Sequence, residues 1–145
     1  IGTYDGPLPS AFAPQSIGLE VSDDVDIARG DILVPAGAPA RVGTKIEATL
    51  CWFADEPYQG NGRFVVKHGT RSTPARIATV IDRVDVATLA AEASPHSLQR
   101  NDIARVRLQV ASAIAFDGYR ENRGTGAFIL IDEQTNATVA AGMIA

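Results

Sequence analysis

Apolar and polar residues alternate with a period of two along much of the chain, which is the pattern of strands with one buried face. In residues 45–53 four apolar side chains share one face, and Lys45, Glu47 and Thr49 share the other. Residues 103–110 alternate in the same way. Both segments are therefore predicted to be strands of a sheet with an apolar inner face.

Other segments share this strand pattern or are rich in β-branched residues: 17–21, 31–34, 63–68, 76–86, 128–131 and 139–144. The last two flank a polar stretch and indicate a terminal hairpin. Residues 88–93, which precede Pro95, are the only plausible helical turn. Six or more strands with short turns and almost no helix predict an all-β fold, a small antiparallel barrel.

A stretch rich in Pro and Gly divides the chain, between positions 35 and 44, with few large apolar side chains inside it. Such a density of breakers is typical of a linker. The predicted organisation is a first unit in residues 1–36, a linker in 37–44 and a barrel in 45–145.

Composition narrows the class of protein. The chain has 145 residues, 46% of them hydrophobic, and a net charge of −4. No apolar run approaches the roughly 20 residues of a membrane span, and the acidic balance argues against a dedicated nucleic-acid binder. The single cysteine, Cys51, fits a reducing cytoplasm. Its position beside Trp52 in an apolar strand predicts a buried, inert thiol.

Candidate catalytic chemistry is sparse. The sequence has no Gly-rich loop ending in Gly-Lys-Ser/Thr, which a GTPase needs to hold phosphates and magnesium. Cys51, His68 and His96 are too scattered to suggest a metal site. We therefore predict no catalytic, cofactor-binding or metal-binding residues in this chain.

Two pairs of acidic residues leave a free-standing enzyme as a minor alternative. Asp82 and Asp85 lie at the end of a predicted strand, and Asp132 and Glu133 lie in a predicted hairpin turn. Neither pair has a base or nucleophile near it in the sequence, as acid–base catalysis would require.

Two loops are candidates for an interface. Lys67, His68 and Arg71 surround a turn, where the alternative is a solvated hairpin end. The second loop carries Tyr119, Asn122 and Arg123 between glycines. Arg and Tyr are enriched where interfaces carry their binding energy, so these six residues are the predicted contact sites.

Two segments carry a family resemblance. The first runs from Ile27 through Arg29-Gly30-Asp31, and the second covers residues 116–144. Together they resemble the GTP-binding large subunit of bacterial sulfate adenylyltransferase (ATP sulfurylase). Elongation factors share the terminal Thr-Val-x-Ala-Gly pattern at residues 138–142. They lack the loop Asn-Arg-x-Thr-Gly at residues 122–126.

This resemblance implies an elongation-factor C-terminal-domain-like barrel of the translation-factor type, preceded by the last strands of a second small barrel in residues 1–36. It implies a cytoplasmic, non-catalytic region of a larger subunit, whose other domain binds GTP and magnesium. The implied partners are that GTP domain and a small catalytic subunit. Together with the small catalytic subunit, the larger GTPase subunit is implied to make adenylyl sulfate and pyrophosphate from ATP and sulfate, driven by GTP hydrolysis. In some bacteria an adenylylsulfate kinase domain follows.

A second interpretation stays open. The same fold serves translation elongation factors, so the barrel could be a module that binds RNA or a protein partner. Salt-dependent affinity for tRNA would be its signature.

Overall fold

The computed structural model describes residues 1–84, 88 and 90–145. The described residues contain no helix, and their strands are β1 (Gly2–Thr3), β2 (Gly6–Pro7), β3 (Arg41–Trp52), β4 (Phe64–His68), β5 (Arg71–Val84), β6 (Ala91–Ala93), β7 (Ile103–Phe116), β8 (Ala127–Asp132) and β9 (Thr138–Ile144). The all-β prediction is confirmed.

The long strands form a closed antiparallel barrel. They follow the order β4-β8-β9-β3-β7-β5, and pairing of β4 with β5 closes the ring. The short strand β6 lies beside the end of β5 and pairs with it in antiparallel orientation. Closure leaves no free edge in the ring, so the backbone donors and acceptors of its strands pair within the barrel.

Every second side chain of the long strands points inward, and these apolar side chains fill the interior of the barrel. In β3 the inward side chains include Ile46 and Leu50, and Leu108 of the neighbouring strand β7 is buried beside them. Leu130 of β8 is also fully buried. Each fully buried aliphatic side chain of this kind contributes about 1.5–3 kcal/mol relative to an exposed one. The interior is therefore a packed core.

One end of the barrel is plugged by aromatic rings. The ring centroid of Trp52 lies 5.8 Å from that of Tyr58 and 5.9 Å from that of Phe64. Tyr58 stands outside the strands and forms a β-bridge with Leu98, which has no exposed surface. The indole Nε1 of Trp52 donates to the carbonyl of Glu56 at 2.9 Å, so its buried polar atom is satisfied. Burial raises the pKa of Tyr58.

The first forty residues differ from expectation. The predicted strands at 17–21 and 31–34 do not form; the β-structure there is the short β1–β2 pair and a bridge between Gly2 and Gly18. No residue of this stretch is buried. A strand is stable only beside another strand, and the described residues offer these segments no further edge to pair with.

The neighbouring boundaries also shift. β3 begins at Arg41, inside the predicted linker of residues 37–44. Whether residues 1–36 belong to a second barrel stays a prediction.

The prediction of a helical turn over residues 88–93 is wrong for residues 91–93. Ala91–Ala93 is a strand, β6, and pairs with Asp82–Val84 of β5. Positions 87 and 89 lie outside the described residues, as do 85 and 86 at the end of the predicted 76–86 strand. The long β5 strand continues past its pairing with β4, so residues 82–84 offer partners to β6, and this pairing outweighs local helix preference.

Ion pairs link the outer faces of neighbouring strands. Asp82 of β5 lies opposite Arg105 of β7, and the Arg105 Nε is 2.9 Å and 3.0 Å from its two carboxylate oxygens. Glu47 of β3 pairs with Arg107 of β7 in the same manner. The Arg105 hydrogen bonds hold the pKa of Asp82 below its usual range.

We predict a pH-dependent effect of Asp82→Asn. A lowered pKa in the folded state means that the pair contributes stability above the usual carboxyl pKa and loses it as the pH falls through the folded pKa. The variant should melt at a lower temperature than the parent at neutral pH, and the two curves should converge in acid. Thermal melts across the pH range check this; a difference that persists below the folded pKa would contradict it.

Candidate interaction surface

The loop of residues 117–126, between β7 and β8, lies at the end of the barrel opposite the aromatic plug. Its two ends are fastened to each other. The amide of Asp117 donates to the carbonyl of Thr125 at 3.3 Å, and the Thr125 hydroxyl donates to the Asp117 carboxylate at 2.5 Å. The 117–126 loop is therefore held in one shape by its own side chains and backbone.

The loop is also fixed to strand β9. The Tyr119 amide donates to the carbonyl of Ile144 at 2.9 Å, and the Ile144 amide donates to that of Gly126 at 2.8 Å. A Cβ at Gly126 would lie 2.5 Å from the Tyr119 amide nitrogen and 2.7 Å from the Asn122 carbonyl oxygen. Only glycine allows this approach of two backbone segments.

A buried histidine joins the two candidate loops. His68 ends β4 and, following the inward positions Phe64 and Val66, points into the barrel. Its Nε2 donates to the carbonyl of Thr125 at 2.7 Å. The alternative of a solvated hairpin end is thus wrong for His68. The alternation of β4 places it inside, and the Thr125 carbonyl satisfies its ring nitrogen.

The other two residues of the first candidate loop have different surroundings. Lys67 is exposed on the outer face of β4, next to His68 in sequence. Arg71 is half-buried, and its guanidinium lies 3.7 Å from the Asp31 carboxylate. Gly30 approaches the same side chain, since a Cβ there would lie 2.8 Å from the Arg71 Cβ. Arg71 therefore contacts the first forty residues.

The second candidate loop presents an aromatic ring and a cation. The Arg123 guanidinium lies 5.9 Å from the centre of the Tyr119 ring, within the range of a cation–π contact. Asn122 accepts a hydrogen bond from the Gly124 amide at 3.0 Å and shapes the turn. Tyr119 and Arg123 are thus positioned at the surface, while Asn122 has a structural role. Their part in an interface stays a prediction.

A shallow apolar groove of about 580 Å³ runs across the outside of the barrel beside these loops. We call it the outer groove; six of the side chains that line it are Cys51, Lys67, Tyr119, Ile129, Ala141 and Met143. It collects outward side chains of β3, β4, β8 and β9, which are neighbours in the barrel. Lys67 and Tyr119, one from each candidate loop, therefore face the same groove.

The prediction that the Cys51 thiol is buried is wrong. Its neighbours Leu50 and Trp52 are buried inside the barrel, so the alternation of β3 turns Cys51 outward, where it is only half-buried and lines the outer groove. The apolar character of the segment reflects two apolar faces, and the sequence alone could not separate the core from the groove.

One residue of each acidic pair has hydrogen-bond partners. Asp82 binds Arg105, and Asp132 accepts hydrogen bonds from Gln134 and Thr135 in the β8–β9 turn, with a pKa lowered chiefly by the Thr135 amide. Asp85 lies outside the described residues.

Two other kinds of site are absent from the described residues. No group of three or more His, Cys, Asp or Glu side chains is placed to hold a metal ion. In the same residues no helix is long and apolar enough to span a membrane.

The fold and the surface define a β-barrel of the translation-factor type. Residues 45–145 match the family described as GTP-eEF1A C-terminal domain-like, and the chain belongs to this family. A solved structure of sup35 complexed with GMPPNP is similar at a TM-score of 0.72, over 86% of this chain and 30% of that one. At 19% sequence identity this likeness concerns the fold alone.

Sequence relatives at higher identity include proteins with the names of enzymes or enzyme subunits. The chain is 44% identical over 99% of its length to the bifunctional enzyme CysN/CysC of Rhodopirellula baltica. It is 40% identical, again over 99% of its length, to sulfate adenylyltransferase subunit 1 of Saccharophagus degradans. The resemblance inferred from the 116–144 and 27–31 segments is confirmed.

The relatives are much longer than the chain. It covers 22% of the Rhodopirellula protein and 30% of the Saccharophagus protein. The name of the latter, subunit 1, indicates that it works with at least one other subunit.

We predict that Gly126→Ala destabilises the protein by about 1–3 kcal/mol, as overpacked sites do. The added methyl group would collide with the Tyr119 backbone and separate the 117–126 loop from β9. Urea unfolding followed by tryptophan fluorescence measures the change.

Gly124→Ala is the matched control. Gly124 is exposed in the same loop, and a Cβ there would meet only the Asn122 side-chain oxygen, at 3.4 Å. Equal unfolding midpoints for the two variants would mean that the close approach at Gly126 is not required.

Proposed function

We propose that the chain is the non-catalytic barrel region of the GTPase subunit of sulfate adenylyltransferase. The observation that carries the proposal is identity of 40% or more to CysN/CysC and subunit 1 proteins over nearly the whole chain. The region of similarity includes the 117–126 loop and its Asn-Arg-x-Thr-Gly sequence.

On this proposal the parent protein acts in the cytoplasm in sulfate assimilation. A small catalytic subunit joins ATP and sulfate into adenylyl sulfate and releases pyrophosphate, and GTP hydrolysis drives the reaction. GTP and magnesium bind in another domain of the parent, since the present sequence has no phosphate-binding loop. The barrel contributes contacts to that domain and to the small subunit.

The geometry supports an assembly role for the loop end of the barrel. Tyr119 and Arg123 form a surface pair, and the loop that carries them is fastened to β9 and, through His68, to β4. A preorganised aromatic–Arg pair loses little conformational entropy on binding, which favours its use at an interface.

We predict that Tyr119→Ala or Arg123→Ala, made in the complete GTPase subunit, weakens binding of the small subunit or uncouples GTP hydrolysis from adenylyl sulfate formation. Hot-spot truncations of this kind cost about 2 kcal/mol, or roughly thirtyfold in affinity. Titration calorimetry gives the affinity, and phosphate and pyrophosphate release give the coupling.

Arg76→Ala is the control. Arg76 is exposed on β5, on the side of the barrel away from the 117–126 loop. Unchanged affinity and coupling in the Tyr119 and Arg123 variants, with intact folding, would refute an assembly role for this loop.

A further inference from the structure

The floor of the outer groove is recessed and apolar, because two neighbouring strands carry small alanine side chains there. Ala127 of β8 and Ala141 of β9 leave a trough, and Ile129 and Met143 form its sides. Met143 is 44% exposed. Its flexible thioether side chain is of a kind that adapts to varied apolar partners.

The rim of the groove carries positive charge without matching negative charge. Lys67 is the one formally charged side chain among its described lining residues. An adjoining recess shares Thr49, Tyr119 and Met143 with the groove. Its charged side chains are Arg41, Arg120 and Glu121.

Nearby carboxylates do not neutralise these cations. In the described part of the chain, neither Lys67 nor Arg120 nor Arg123 is within ion-pair distance of a carboxylate. Glu121 pairs with Arg41 at 3.6 Å. A chain with a net charge of −4 thus has a locally basic rim beside an apolar floor.

We propose that the outer groove binds a segment of the partner subunit that presents an apolar side chain with a carboxylate beside it. The inference rests on the proposed function and deepens it by naming the chemistry of the bound segment. The apolar anchor fills the trough over Ala141 and displaces water, which supplies most of the affinity. The carboxylate faces Lys67 and Arg120, which fixes orientation and accelerates association.

The same surface is poorly suited to a nucleic acid. Single-stranded binders need several aromatic rings on which bases stack along a charged track. Among the described residues that line the groove, Tyr119 is the one aromatic side chain at the surface, and most of the others are apolar. The groove therefore favours a polypeptide.

The first test places a bulky charge in the trough. Ala141→Arg, in the complete GTPase subunit, should weaken binding of the small subunit at least about tenfold in calorimetric titration, as burial of an unmatched charge at an interface does. Lys67→Glu should weaken it less and should reverse part of the salt dependence. Ala141 and Lys67 are both exposed, so circular dichroism should report unchanged folding.

Ala113→Arg is the matched control, because Ala113 is equally exposed on β7 but does not line the groove. It should bind the small subunit like the parent. Parental affinity in folded Ala141→Arg would overturn the inference.

The accessibility of Cys51 provides an independent test of the groove without any substitution in the protein. Its rate of alkylation, followed by mass spectrometry of the peptide that contains it, should fall about tenfold or more when the small subunit saturates the complex. Binding of the small subunit with an unchanged Cys51 rate would reject the groove and leave the proposed function standing.

Two other outcomes are equally decisive. Protection of Cys51 in the complete GTPase subunit alone would mean that its own chain covers the groove, which overturns the inference. Absence of any binding between the two folded subunits would remove the proposed function and the groove inference together.

Discussion

The pairing of β4 with β5 closes the sheet, and every other feature of the barrel depends on that closure. In a closed sheet each residue points either into the core or to the outside, and the assignment is fixed along the whole strand. One slip of register in β4 would expose Val66 and His68 and bury Lys67. Such a slip is costly, because a buried unpaired lysine is far less stable than a buried valine.

Closure also brings the surface features together at one end. Since β4 and β8 are neighbours in the ring, the end of β4 comes beside the loop that leads into β8, and His68 reaches the Thr125 carbonyl. The two candidate loops, far apart in sequence, become one surface. At the other end Trp52, Tyr58 and Phe64 fill the barrel mouth. The packed interior leaves the outer face as the place for binding.

The sequence predicts the long strands well, because each alternates over many residues and one face is decisively apolar, as in β3 and β7. It fails where the partner decides the structure. Ala91–Ala93 becomes a strand only because the end of β5 is available beside it. The 17–21 segment alternates, but beyond the bridge at Gly18 the described part of the chain gives it no strand to pair with.

Residue type predicts the candidate residues but not their surroundings in the fold. Tyr119, Arg123 and Lys67 were identified from residue type, whereas the buried state of His68 depends on its parity with Phe64 and Val66. Cys51 shows the opposite error, since two apolar faces on one strand conceal an outer groove. Alternation counted from a neighbouring core residue gives the right side for each: Cys51 follows the inward Leu50 and points outward, and His68 is two positions after the inward Val66 and points inward.

On the proposed function, a barrel without catalytic residues can still transmit the state of a nucleotide. Protein interiors are densely packed and resist deformation, so a push on one strand moves the barrel as a unit. The 117–126 loop follows that motion because hydrogen bonds with Ile144 of β9 and His68 of β4 tie it to two different strands of the ring. A contact made by Tyr119 or by the outer groove would then be displaced as a rigid body, which needs no chemistry at the contact itself.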